Sequence, residues 1–139
     1  MMPNSTAATQ VTLDQKRARH AWEAVCRAES KQGHHKEQAP KKFGTQAKKL
    51  PVRIMASGLG QALAFLKAKD YAPGLLAELA DWVARRIPCR PGARKDDLLD
   101  RVIKGDADFL RRATDEVLAY LVWLNRFAEA KGLTEGDDK

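Results

Sequence analysis

Lys42, Gln46, Lys49 and Arg53 recur at intervals of four, three and four residues. A helix turns about 100° per residue, so this spacing sets them along one strip. Ammonium and guanidinium groups at that pitch can follow a chain of phosphates, neutralising its charge without reading any base. Lys41 and Lys48 lie at another angle on the same segment, and Lys16 and Arg17 lie on an earlier one. These four are secondary candidates for the same contact. From Lys31 to Arg53 there are seven basic residues and one acid, Glu37, a net +6, to which His34 and His35 can add partial charge. Residues 1 to 70 carry 13 Lys and Arg against 5 Asp and Glu, whereas residues 71 to 139 carry 12 against 13. Charge concentrated in this way favours a polyanionic partner such as nucleic acid. On charge alone, a solvated face without a ligand remains the alternative.

Other chemistries find little support. The stretch "SGLGQALAFLKAK" (57 to 69) raises the question of a phosphate-cradling loop. A dinucleotide fingerprint needs a third glycine where Leu63 stands, and a P-loop needs a terminal G-K-[ST] that is missing. Gly58 instead suits the left-handed position that closes a helix, which makes the stretch a corner. His34-His35 has no cysteine or carboxylate at ligand spacing, and Cys26 and Cys89 fall on different elements, so no metal is expected. His20, on a charged helix, is expected at the surface and not as a base. Ser5, Ser30 and Ser57 fall in a tail, a linker and a helix corner, poor places for a nucleophile held against a base. Asp96, Asp97 and Asp100 cluster at a helix start, where carboxylates complement the dipole. No enzyme, cofactor or small-molecule substrate is expected.

The elements that position these residues read as helices throughout. Residues 1 to 11 form an expected tail, 12 to 132 a single helical domain and 133 to 139 an acidic tail. Thr12 opens the first helix with Gln15 three residues on, the capping-box pattern. Ala18, Ala21, Trp22, Val25 and Cys26 give it one apolar stripe. A basic linker at 29 to 42 follows, lacking any period and containing Gly and Pro. Phe43, Ala47, Leu50 and Ile54 then keep phase across Pro51, which favours one helix kinked there over two short helices meeting there. Leu59, Ala62, Leu63 and Leu66 continue inward after the corner. Pro73 starts the next helix, with Leu76, Leu79, Val83 and Ile87 in a stripe beside Trp82. Arg85 and Arg86 suit its C-terminus. A short helix carries Leu98, Leu99, Val102 and Ile103 up to Gly105. Asp106 caps the last helix, which runs to Lys131, about 26 residues and about 39 Å. Its main stripe is Leu110, Ala113, Val117, Leu121, Leu124 and Ala128, and a second is Phe109, Tyr120, Trp123 and Phe127. Two apolar faces mean that neighbouring helices wrap it, or that one face serves assembly. The expected fold is an all-α, single-domain bundle of about six helices with a long C-terminal one.

The longest apolar run, Val117 to Leu124, is too short for the roughly 20 residues of a membrane span. The N-terminus lacks the basic and apolar regions of a secretory signal, and two isolated cysteines suit a reducing compartment. A cytoplasmic location is expected.

Two blocks go beyond composition. "KKFGTQAKKLPVRIMASGLGQALAFLKAK" (41 to 69) and "RRATDEVLAYLVWLNRFAEA" (111 to 130) resemble the small helical subunit of the type III-B CRISPR RNA-targeting effector, the Cmr complex. The first carries the resemblance through Phe43-Gly44, Leu50-Pro51 and Gly58 to Phe65. The second does so through Arg111, Ala113, Thr114, Glu116, Leu121, Trp123, Leu124, Arg126, Phe127 and Ala128. With Trp22 on the first helix, the likeness spans roughly residues 13 to 131. It departs at Phe43, where Tyr is the more usual residue, in the long linker and in the extended tail.

The resemblance implies a non-catalytic antiviral subunit. Copies would stack head to tail beside the backbone and large subunits, lining the groove that holds crRNA and target RNA. Lys42, Lys49 and Arg53, with Lys41, Lys48, Lys16 and Arg17, would then be RNA-backbone contacts. The alternatives are a structural adaptor binding mainly protein, with the second aromatic stripe exposed, and a small DNA-binding regulator. The latter would need a helix presenting base-reading side chains, which none of the six does clearly.

Overall fold

The computed structural model describes residues 10–30, 38–70, 72–89 and 97–134, and every regular element among them is helical. These elements are α1 (Leu13–Ser30), α2 (Gln38–Lys69), α3 (Pro73–Arg86), α4 (Leu98–Lys104) and α5 (Ala107–Ala130). The expected all-α class holds. The expected second and third helices are one run, because a single residue, Gly58, separates their turns. Its φ of 88° and ψ of 161° are non-helical. The φ is positive, as a corner needs, but the ψ is extended, a combination essentially restricted to glycine.

Pro51 does not interrupt the helix: all residues around it are helical up to Gly58. The lost hydrogen bond and the crowding of the preceding turn cost about 3 kcal/mol. Burial of Phe43, Ala47, Leu50 and Ile54 on either side offsets this. One fully buried Leu or Ile stabilises by about 1.5–3 kcal/mol. Of the stretch expected as linker, residues 29 and 30 end α1 and residues 38 to 42 begin α2. His34, His35, Asp96 and both expected tails beyond residues 10 and 134 lie outside the described residues.

The caps legible in the sequence form. Thr12 N–H donates to Gln15 Oε1 at 2.7 Å, and Gln15 N–H donates to Thr12 Oγ1 at 3.0 Å, a reciprocal capping box. Asp97 and Asp106 accept from Asp100 and Phe109 N–H at the starts of α4 and α5. Past the end of α5, Leu133 N–H reaches back to the carbonyl of Ala128 at 2.9 Å, a Schellman-type closure.

Helix α5 is the axis. Its 24 residues span about 36 Å, and α1, α2 and α3 all pack on it. Ala113, Val117, Leu121, Leu124 and Ala128 are fully buried, as its main stripe predicts, while Leu110 at the end of the stripe is exposed. From the second stripe only Tyr120 is fully buried. Wrapping by neighbours, the first of the two readings of its double face, accounts for most of it. At Gly44, an added Cβ would stand 1.8 Å from the Leu133 carbonyl oxygen, so glycine lets α2 touch the segment after α5.

Candidate nucleic-acid interface

From Gln38 to Lys69, α2 contains seven Lys and Arg residues and no Asp or Glu. Its core face takes Phe43, Ala47, Leu50 and Ile54 inward and so decides where each cation points. Lys41, Lys48 and Lys49 are exposed, and Lys42 and Arg53 are half-buried at the border with the core. Gln46, expected between cations on the outer strip, is instead 6% exposed and faces in. Its position about 40° from the Leu50 direction explains this. Arg53 Nη1 donates to Gln46 Oε1 at 2.7 Å, and its guanidinium lies 4.2 Å over the Phe65 ring, across the Gly58 corner. Arg53 is therefore held in place, while the outermost charges are those of Lys41, Lys48 and Lys49. Further along the same helix, Val52 and Met55 are 72% and 75% exposed.

The two candidates on α1 part company. Lys16 is exposed. Arg17 is turned into the bundle, where its Nε and Nη2 meet Glu116 Oε1 and Oε2 at 3.2 and 3.0 Å, and its Nη1 meets Asp14 at 3.2 Å. Glu116 also accepts from Trp82 Nε1 at 3.0 Å and from Arg86 Nε at 3.4 Å. Burial pushes the Glu116 carboxyl up, but the bonds from Arg17, Trp82 and Arg86 and the Arg17 charge outweigh it, leaving it below its ordinary value. Arg17 thus joins α1 to α5.

A second polar cluster overturns one expectation. His20 is not at the surface: it is 4% exposed, with Nδ1 2.6 Å from the Tyr120 hydroxyl and Nε2 2.7 Å from Asp81 Oδ2. A carboxylate only accepts, so Nε2 carries the proton, and in the neutral ring Nδ1 accepts from Tyr120. Tyr120 stacks on Trp82, with ring centroids 5.7 Å apart, and burial pushes its phenol well above the ordinary value. His20 ties α1, α3 and α5 together. Its partners lie 61 and 100 residues away, and no local pattern in the sequence announces them. Arg85, expected to serve the end of α3, also bonds Asp81, at 2.8 Å.

Trp22, in the α1 apolar stripe, is 41% exposed and meets Phe127 edge to face. Trp123 is half-buried and donates to Asp14 at 3.0 Å. Among the described residues, no group of three or more His, Cys, Asp or Glu side chains could hold a metal ion, and no helix is long and apolar enough to cross a membrane.

Residues 13–131 match the family model described as CRISPR-associated protein (Cas_Cmr5). The chain belongs to the Cmr5 family. The fold is similar to the crystal structure of a CRISPR-associated Cmr5 family protein from Thermus thermophilus. The TM-score is 0.68 at 29% identity, and the match covers 90% of this chain and 100% of that one. This Cmr5-family chain is a small subunit of the type III-B CRISPR Cmr system, as the two sequence blocks imply.

Proposed function

We propose that this Cmr5-family chain is a non-catalytic, cytoplasmic subunit that contacts the sugar-phosphate backbone of crRNA and target RNA through α2. The observation that carries this reading is a 32-residue helix with seven cations and no carboxylate. Lys41, Lys48 and Lys49 lie on its outer face. Lys42 and Arg53 flank that face, and Lys16 adds a contact from α1. Arg17 serves the fold through Glu116 and reaches RNA only at the expense of that pair. Phosphate contacts of this kind give affinity without sequence preference, and guide pairing supplies the specificity. Copies stack head to tail beside the backbone and large subunits, a heterologous contact that leaves the isolated chain monomeric.

The test is the salt dependence of binding to single-stranded RNA. Three phosphate contacts contribute about −2 to the slope of log K against log salt, at about −0.7 each. Changing Lys41, Lys48 and Lys49 together to Gln should flatten the slope by that amount and weaken binding about 50-fold at 0.15 M salt. An unchanged slope refutes the assignment to α2.

Val52 and Met55, both more than 70% exposed on the same face, favour a second role. Alongside the RNA contact, α2 meets protein of the assembly there.

A further inference from the structure

A groove of about 390 Å³ opens between α1 and α3, away from the residues assigned to α2. Lys16 and Arg19 line it from α1, and Arg85 and Arg86 line it from α3. Val11, Gln15, His20, Glu23 and Trp82 complete the walls. The geometry points to a binding site for a phosphate-bearing nucleotide in this groove.

The charge of the walls is the first ground. Five cations gather here, counting Arg17 behind the wall, against four carboxylates, Glu23, Asp81, Glu116 and the Asp14 that also pairs with Arg17. The carboxylates of Asp81 and Glu116 are already engaged. Asp81 Oδ2 takes His20 and Arg85, and both Glu116 oxygens take Arg17, with Trp82 and Arg86 added. Lys16 and Arg19 are exposed and have no ion pair among the described residues. The local excess of about one positive charge, with Lys16 and Arg19 unpaired among the described residues, attracts one phosphate ester, and Arg19 and Arg85 are guanidinium groups suited to bidentate contact with it.

Size and lining are the second ground. The volume lies within the range of about 300–1,000 Å³ typical of small-molecule sites and exceeds what a bare phosphate fills. Val11 and the edges of the His20 and Trp82 rings give an apolar floor, and the Gln15 amide adds a donor and an acceptor. His20 and Trp82 are fixed by Asp81, Tyr120 and Glu116, so this floor is formed before any ligand arrives. An apolar floor with a cationic rim accommodates the two halves of a nucleotide. The groove's role does not depend on the α2 assignment.

The experiment is a titration of the full-length chain with uridine 5′-monophosphate, followed by ¹H–¹⁵N NMR. Saturable shifts are expected at the Trp82 indole N–H and the Lys16 and Arg19 amides, with uridine at least 10-fold weaker. Arg19→Glu, at an exposed position, should weaken binding at least 10-fold with an unchanged thermal midpoint. The triple Gln variant of Lys41, Lys48 and Lys49 should bind the monophosphate as the unaltered chain does. Two short RNAs then identify the source. If a 5′-phosphorylated strand exceeds a hydroxyl-ended one, the groove holds a strand end; if the two bind equally with the same shifts, it holds an internal phosphodiester. Shifts that fail to saturate, do not distinguish monophosphate from uridine, or survive Arg19→Glu overturn the inference.

Discussion

Replacing Glu116 by Gln removes one charge from a site whose geometry makes the cost calculable. The Glu116 and Arg17 side chains are 12% and 17% exposed, and Arg17 meets both carboxylate oxygens. The amide oxygen of Gln can still accept from Trp82, so that bond survives. What remains is a largely desolvated guanidinium left with only the exposed Asp14 as counter-ion, and Arg86 without its own. Breaking a fully buried ion pair by removing one partner costs about 3–5 kcal/mol. Scaled for the residual exposure here, the loss should be about 2–3 kcal/mol, or roughly 8–12 °C in thermal midpoint for a domain of this size. Because the Glu116 pKa is held below its ordinary value of 4.5, its stabilisation is fully present above that value. It is lost as pH falls through the lowered folded value. Urea unfolding of both proteins at pH 7 and at pH 3 measures the effect. The difference should be about 2–3 kcal/mol at pH 7 and shrink in acid. A difference below about 0.5 kcal/mol at pH 7, or one that does not change with pH, would refute the idea that Glu116 holds α1 and α3 to α5.

Two further substitutions probe other joints of the bundle. Gly44→Ala places a methyl 1.8 Å from the Leu133 carbonyl oxygen, a backbone atom that cannot rotate away. Displacing that segment should cost about 3 kcal/mol in chemical denaturation. Tyr120→Phe leaves the buried Nδ1 of His20 without its hydroxyl partner. It should cost about 1–3 kcal/mol by the same measurement, and a neutral result would mean that the hydrogen bond contributes nothing.

What the sequence discloses and what it conceals divide by range. The capping box at Thr12 and the Asp106 cap involve partners three residues apart, and both form as expected. The α5 stripe from Ala113 to Ala128 repeats at helical spacing and is buried throughout. His20 defeats a local reading because its polar neighbours on α1 suggest water, whereas Asp81 and Tyr120 arrive from other helices. Gln46 follows the same rule in reverse. Spacing groups it with the lysines, but the core face of α2 extends far enough round to take it in, and Arg53 satisfies its oxygen. Pro51 carries a local penalty that tertiary packing on both sides offsets, so helical turns continue through it, and the non-helical residue within α2 is Gly58. Ile103 ends an apolar run on α4 but is 70% exposed, because a helix of seven residues buries only one side. Among the candidate contacts, those from Lys41 to Arg53 are legible in the sequence as part of a basic segment and lie on α2. The ranking of the cations within it is not, since that depends on which face meets α5.

The claim that α2 faces RNA is tested most directly by proximity in the assembled particle. A photo-reactive residue at position 49, in a Cmr complex loaded with crRNA and target RNA, should crosslink efficiently to RNA. The same residue at position 122, a similarly exposed site on α5, should not. Crosslinks from position 122 with none from position 49 would contradict the account.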